Sequence, residues 1–270
     1  MRRPVVTTSL RGIAAGVCAG ALAISGLAAC SNSEDTATTT TSETTQVQDI
    51  TVFAAASLKA TFTEIGELYE EENPGSTVTF NFAGSSDLVA QLQQGASADA
   101  FASADVANMA KAVDADLLAG DPTNFASNTL TIVVAPGNPK NITSLADLTQ
   151  DGTLLVTCAP QVPCGAAAVK VEEAAGVDLS PVSEESSVTD VLNKVTSGQA
   201  DAGLVYVTDA ANAGDQVTEV PFAESSGVVN VYPIAALKNA SSSTGAEAFI
   251  TLVTGPRGQS ILADAGFAQP

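Results

Sequence analysis

The 270-residue chain contains no histidine and no tryptophan, and only ten Lys and Arg stand against thirty Asp and Glu. Each shortage excludes something. Without histidine there is no Ser-His-Asp triad, no imidazole metal ligand and none of the commonest general acid–base group. Conventional hydrolase chemistry therefore lacks its base. A net charge of −20 argues against electrostatic binding to nucleic acid or to an anionic membrane surface. Aromatic residues are 4% of the chain while 45% is apolar, so a core has to come mainly from Ala, Val, Leu and Ile. The length allows one large domain or two ordinary ones.

Arg2, Arg3 and Arg11 precede an uncharged run over residues 12–29, rich in Gly and Ala. Its 18 residues reach only the lower edge of membrane-spanning length. It closes on small residues, Leu27-Ala28-Ala29-Cys30, in the manner of a cleavage site. That tetrapeptide resembles the lipobox of bacterial lipoproteins, where the Cys after a small residue is acylated and becomes the new N-terminus. An uncleaved anchor helix is the alternative, and both readings put the remaining chain outside the cytoplasm. Residues 31–48 hold ten Ser or Thr and two apolar residues, too little to bury a core. The expected organisation is a lipoprotein signal peptide over 1–29 and a disordered tether over 30–47. Such a tether spans about 23 Å root-mean-square. Maturation removes three Arg and no acid, leaving seven cations against thirty acids and a charge of −23.

Of the four Cys, Cys18 leaves with the signal and Cys30 takes lipid, so Cys158 and Cys164 remain. Two Cys six apart in an oxidising compartment are expected to pair, with two free buried thiols as the alternative. The closed loop is short, and the chain-entropy relation values it at about 2.4 kcal/mol. No His or further Cys is present to complete a metal shell around them.

From residue 50 the pattern alternates short β-type runs with helical spacings. Strands are expected over 50–56, 78–84, 99–104, 129–137, 153–158, 202–207 and 228–237. Helices are expected over 58–72, 85–95, 105–113, 165–175, 188–197, 245–254 and 256–265. Such alternation implies an α/β fold with mostly parallel sheets covered on both faces. Two such series suggest two lobes with a ligand cleft at their interface. Lobe one is expected over 48–134 and 231–270, and lobe two over 135–230.

Two segments share one design of strand, small residues, Ser and helix: AAASL over 54–58 and FAGSSDL over 82–88. Ser57, and Ser85 with Ser86, then sit where a strand hands over to a helix. A hydroxyl, several unpaired N–H groups and the positive end of the helix dipole point the same way there, which suits a tetrahedral oxyanion. Plain helix capping by Ser is the alternative. Asp99, Asp105, Asp201 and Asp209 match no calcium loop and are expected to be caps and solvated loop residues.

Those two segments, with GASADAFASAD (95–105), VPCGAAA (162–168), SSVTDVL (186–192), GQADAGLVYVTDA (198–210) and GPRGQSILADAGF near the end, resemble the molybdate-binding proteins of bacterial ABC importers. The resemblance runs from residue 50 to residue 267. It implies a two-lobed, periplasmic-binding-protein-like (type II) α/β fold that is not an enzyme and carries no cofactor. The ligand it implies is molybdate or tungstate, held by two Ser hydroxyls, backbone amides and a Tyr hydroxyl. Position by position these fall on Ser57, Ser85, the amides of Cys164 and Val188, and Tyr206. The chain departs from the family at Cys164, where Ala is common, but a backbone donor needs no particular side chain. A donor-only shell favours a fully ionised dianion, because protonated phosphate would leave a buried group unpaired; sulfate is expected to be rejected on size. The implied partners are the oxyanion and a membrane permease. The implied state is a monomer, lipid-anchored on the extracytoplasmic face of the cell membrane. A receptor for sulfate or another small anion is the nearest alternative. From other classes come a serine hydrolase on Ser57 or Ser85, which lacks His and a G-x-S-x-G elbow, and a surface interaction protein with a vestigial cleft.

Mass spectrometry of the mature protein should find an acylated Cys30 at the N-terminus, and a mass two hydrogens below the Cys158/Cys164 dithiol. A free, unmodified N-terminus elsewhere, or two thiols that alkylate without reduction, would overturn these assignments.

Overall fold

A strand that is apolar at successive positions must be covered on both faces, and ITVFAA is such a strand. In the computed structural model, which describes residues 47–270, it forms β1 (Ile50–Ala55) at the heart of a first sheet. Val52 and Ala54 face one way and Phe53 the other, the period of two that a strand imposes. On the first face lie α1 (Lys59–Glu72), α7 (Ser243–Thr254) and α8 (Pro256–Asp264), contributing Phe62, Ile65, Tyr69, Phe249, Val253 and Leu262. On the other lie α2 (Ser85–Gln93) and α3 (Val106–Asp114), with Leu88, Leu92 and Met109. The scarce aromatics are concentrated here: Phe62 lies 5.7 Å from both Phe125 and Phe249, ring centre to ring centre. The expected signal peptide, Cys30 and nearly all of the expected tether lie outside the described residues.

The first sheet runs β2 (Val78–Ala83), β1, β3 (Ala100–Ala102), β10 (Asn230–Ala236), β4 (Thr123–Asn128). The second runs β7 (Ser183–Glu185), β6 (Leu155–Cys158), β8 (Ala202–Tyr206), β5 (Leu130–Val134), β9 (Thr218–Val220). Helices α4 (Pro163–Ala175), α5 (Val188–Thr196) and α6 (Val207–Ala213) complete the second lobe.

The sheets are mixed, which corrects the expectation of mostly parallel pairing. β1 is parallel to β2 and β3, and β6 to β7 and β8. β10 runs against β3 and β4, and β5 against β8 and β9. The reason is topological. Strands β1, β2, β6 and β8 end where the two sheets face each other, each followed by a helix. A strand entered from the opposite lobe starts at that same edge and must run away from it, against its neighbours. β5 and β10 are those two strands.

The expected lobe boundary at 134/135 is also corrected. Only Thr129 separates β4 in the first sheet from β5 in the second, so the chain changes lobe at residue 129. The apolar run TLTIVV reads as a buried strand, but its pattern carries no information on which sheet receives it. β4, with sequence TNFASN, is too polar to have been expected as a strand. The short strands β7 and β9 and the seven-residue α6 were likewise not expected.

Asp99, just before β3, is 2% exposed and far from being a solvated loop residue. Its carboxyl oxygens accept from the Thr51 N–H (2.6 Å), the Ser241 hydroxyl (2.8 Å) and the Ser242 N–H (2.9 Å). This ties β1 to the turn that starts α7. Asp99→Ala strands all three donors and should lower the unfolding free energy by about 2–5 kcal/mol in a denaturant titration. A loss under about 0.5 kcal/mol would show that the carboxyl group does not hold these elements together.

Candidate functional site

The interface between the lobes is built from strand ends and helix starts. Ser57 lies in a 3-10 turn, Ala56–Leu58, that leads from β1 into α1. Ser85 is the first residue of α2 and Val188 the first of α5, while Cys164 is the second of α4. Tyr206 ends β8 and caps α6. All five line one small cavity, together with Ala55, Ala56, Gly84, Ala104, Val162 and Pro163. The volume open to the centre of a water-sized sphere is about 10 Å3, so the lobes meet closely here. A larger groove of about 710 Å3 runs alongside, past Lys59, Thr63, Thr196 and Gln216. Of the five expected residues it meets only Ser57, whereas the small cavity brings all five together.

No Lys, Arg, Asp or Glu lines that cavity. Its positive potential comes from helix N-termini, whose first N–H groups have no partner within the helix. The hydroxyls are held by neighbours that leave them able to donate. Ser85 Oγ accepts from the Ala104 N–H at 3.0 Å, so its own hydrogen stays uncommitted. The Tyr206 hydroxyl accepts from Asn230 Nδ2 at 3.0 Å. Ser57 Oγ and the Tyr232 hydroxyl are 3.0 Å apart and share a hydrogen. Burial pushes both phenols well above the ordinary tyrosine range; Tyr232 and the acids Asp105 and Asp209 raise Tyr206 further. Both stay protonated at any physiological pH, so each keeps a hydrogen it is able to donate.

Tyr232, Asn230, Asn128 and Gly84 were not among the expected site residues. Asn230 Nδ2 also reaches the carbonyls of Ala104 (2.9 Å) and Pro163 (3.4 Å), one in each lobe. Asn128 donates to Thr208 Oγ1 across the same junction at 2.8 Å. For Asn230, a polar residue opening the otherwise apolar strand β10 was the available signal; Asn128, in the polar β4, offered none. Ser86 does not line the cavity, and its Oγ is buried without a partner. Asp105 caps α3 through the Asn108 N–H (2.8 Å), and Asp201 accepts from the Leu154 N–H (2.8 Å). Among the described residues no cluster of three or more His, Cys, Asp or Glu is placed to hold a metal ion. Cys158 and Cys164 form a disulfide that ties the end of β6 to the start of α4.

Residues 50–268 match the bacterial extracellular solute-binding protein family. The chain belongs to that family. The molybdate-binding protein ModA of Mycobacterium tuberculosis (strain ATCC 25618 / H37Rv) is 55% identical to this solute-binding protein over 250 residues, 93% of this chain and 95% of the relative. The periplasmic molybdate-binding protein of Azotobacter vinelandii matches with a TM-score of 0.70 at 22% identity, over 82% of this chain and 99% of that one. The sulfate-binding protein SubI of M. tuberculosis H37Rv matches with a TM-score of 0.67 at 22% identity, over 82% and 87%. At these identities the structural likeness speaks to the fold, which is the expected two-lobed solute-binding architecture.

Asp209 is a buried acid beside this junction. It accepts from the Tyr206 N–H at 3.2 Å, and burial outweighs that bond, pushing its carboxyl up to about 7. The folded protein therefore holds a proton that the unfolded chain releases at ordinary carboxyl pH. Stability from this group is fully present below that range and is lost as pH rises through about 7. With no His in the chain, no other side-chain type ordinarily titrates between pH 5 and 7.5. The unfolding free energy should fall across this window by at most about 1.4 kcal/mol per pH unit, and the melting temperature with it. Asp209→Asn should flatten the profile; a variant that keeps the slope would assign it elsewhere.

Proposed function

We propose that this protein captures molybdate, and tungstate with it, outside the cytoplasm and delivers it to the membrane permease of an ABC importer. The observation that carries the reading is the convergence of two Ser hydroxyls, a Tyr hydroxyl and helix N-termini on a cavity lined by no charged side chain. Ser57 and Ser85 come from lobe one; Tyr206 and the amides of Cys164 and Val188 come from lobe two. A dianion bridging them gains contacts only in the closed form, which is how it shifts the lobes together. The surface acidity does not forbid this, because charges beyond about 8–10 Å are screened at physiological salt. The high identity to a molybdate-binding relative supports the choice among oxyanions. Ser57 Oγ pairs with the Tyr232 hydroxyl and no His exists to act as base, so the arrangement is a binding site and not a nucleophile.

The signal peptide over 1–29, the tether over 30–47 and lipidation at Cys30 complete the proposal. Together they hold a monomeric binding domain at the outer face of the cell membrane, within reach of a permease.

Calorimetry with molybdate, tungstate, sulfate and phosphate tests the reading. Molybdate and tungstate should bind; sulfate and phosphate should bind far more weakly or not at all. Ser57→Ala removes a hydrogen bond to a charged oxygen and should weaken molybdate roughly ten- to a hundred-fold. Tyr206→Phe should act similarly but more mildly where water replaces the hydroxyl. Cys164→Ala keeps the amide and should change little beyond the loss of the bridge. Unchanged affinity in both hydroxyl deletions, or tighter binding of sulfate, would overturn the assignment.

A further inference from the structure

Gly84 caps α2 with φ −60° and ψ 139°, a conformation open to any residue. Its backbone therefore does not require glycine. Its surroundings do. A Cβ placed there would lie 2.0 Å from the carbonyl oxygen of Ser186 and 3.4 Å from Val162 Cγ1, both in the opposite lobe. Adding one carbon–carbon bond of about 1.5 Å puts the Gly84 Cα within about 3.5 Å of that oxygen, in Cα–H···O contact. Both sides are rigid. The Gly84 carbonyl accepts from the N–H groups of Asp87 and Leu88 at 3.0 Å each. Ser186 precedes Ser187, whose side chain caps α5 through the Asp190 N–H.

We propose that this backbone-to-backbone contact is the stop that ends lobe closure and sets the spacing of the oxyanion site. The proposal rests on the binding function above. Gly84 adjoins Ser85, and Ser186 lies two residues before Val188, so the contact fixes how far a donor of one lobe stands from a donor of the other. A side-chain contact could adjust by rotation, but a Cβ cannot swing aside. To reach ordinary van der Waals distance the lobes would have to part here by on the order of 1 Å. That separation is enough to lengthen the hydrogen bonds from one lobe past useful range.

The test compares Gly84→Ala and Gly84→Ser with the wild type, by molybdate calorimetry, stopped-flow kinetics and crystallography with and without molybdate. Ser is a strong N-cap, so a capping role for position 84 predicts that G84S binds at least as well as wild type. A closure stop predicts that both variants lose at least tenfold in affinity, mainly through faster release. Their clefts should be wider at Ser186 by on the order of 1 Å. Wild-type affinity in either variant, or an unchanged closed cleft in their crystals, overturns the stop. Failure of the wild type to bind molybdate would instead count against the function, and the crystal comparison would still decide the stop.

Discussion

Unpaired N–H groups at the starts of helices are the source of positive potential in the cleft, and the arrangement of both lobes follows from having to aim them. Each of β1, β2, β6 and β8 hands over to a helical turn whose first residues line the common cavity or adjoin it. A lysine or arginine would attract an anion more simply. It would also attract every anion, at any protonation state and over a longer range. Fixed dipoles and hydroxyls act only on what fits between them, because their field falls off within a turn of helix.

The same junction explains the polar residues buried around it. Asn128 and Asn230 occupy strand ends where the chain passes between lobes, and each bonds to a group on the far side. Asn230 orients the Tyr206 hydroxyl, and Tyr232 shares a hydrogen with Ser57, so a second layer of side chains positions the first. The disulfide does comparable work for the start of α4, since a bond from Cys158 limits how far the Cys164 amide can drift. Asp209 is the group that sits uneasily here. Its carboxyl caps α6 through the Tyr206 backbone while its burial disfavours ionisation.

Much of this was legible in the chain. The strand-to-helix handovers at Ser57 and Ser85 and the paired Cys were readable because each is a local pattern of residue type and spacing. Helices α1, α2, α5, α7 and α8 appear within a few residues of expectation for the same reason. Tyr206 and the amides of Cys164 and Val188, by contrast, were expected only through the family resemblance. What was not legible is where local pattern and burial part company. β4 is polar in sequence yet buried at Phe125, Ala126, Ser127 and Asn128, because it lies beside β10, a strand some hundred residues later. Asp99 reads as a loop acid and is buried beneath the turn that starts α7.

By itself, then, the sequence determined the α/β class, the lack of catalytic base chemistry and the two Ser positions at strand-to-helix handovers, since these depend on composition and on neighbours along the chain. Only the tertiary structure decided which strands reverse, that the chain changes lobe at Thr129, and that Tyr232, Asn230 and Gly84 take part at the cleft. Those outcomes rest on contacts between segments remote in sequence, where the cost of closing a chain loop is repaid by burial and hydrogen bonding that no local pattern records.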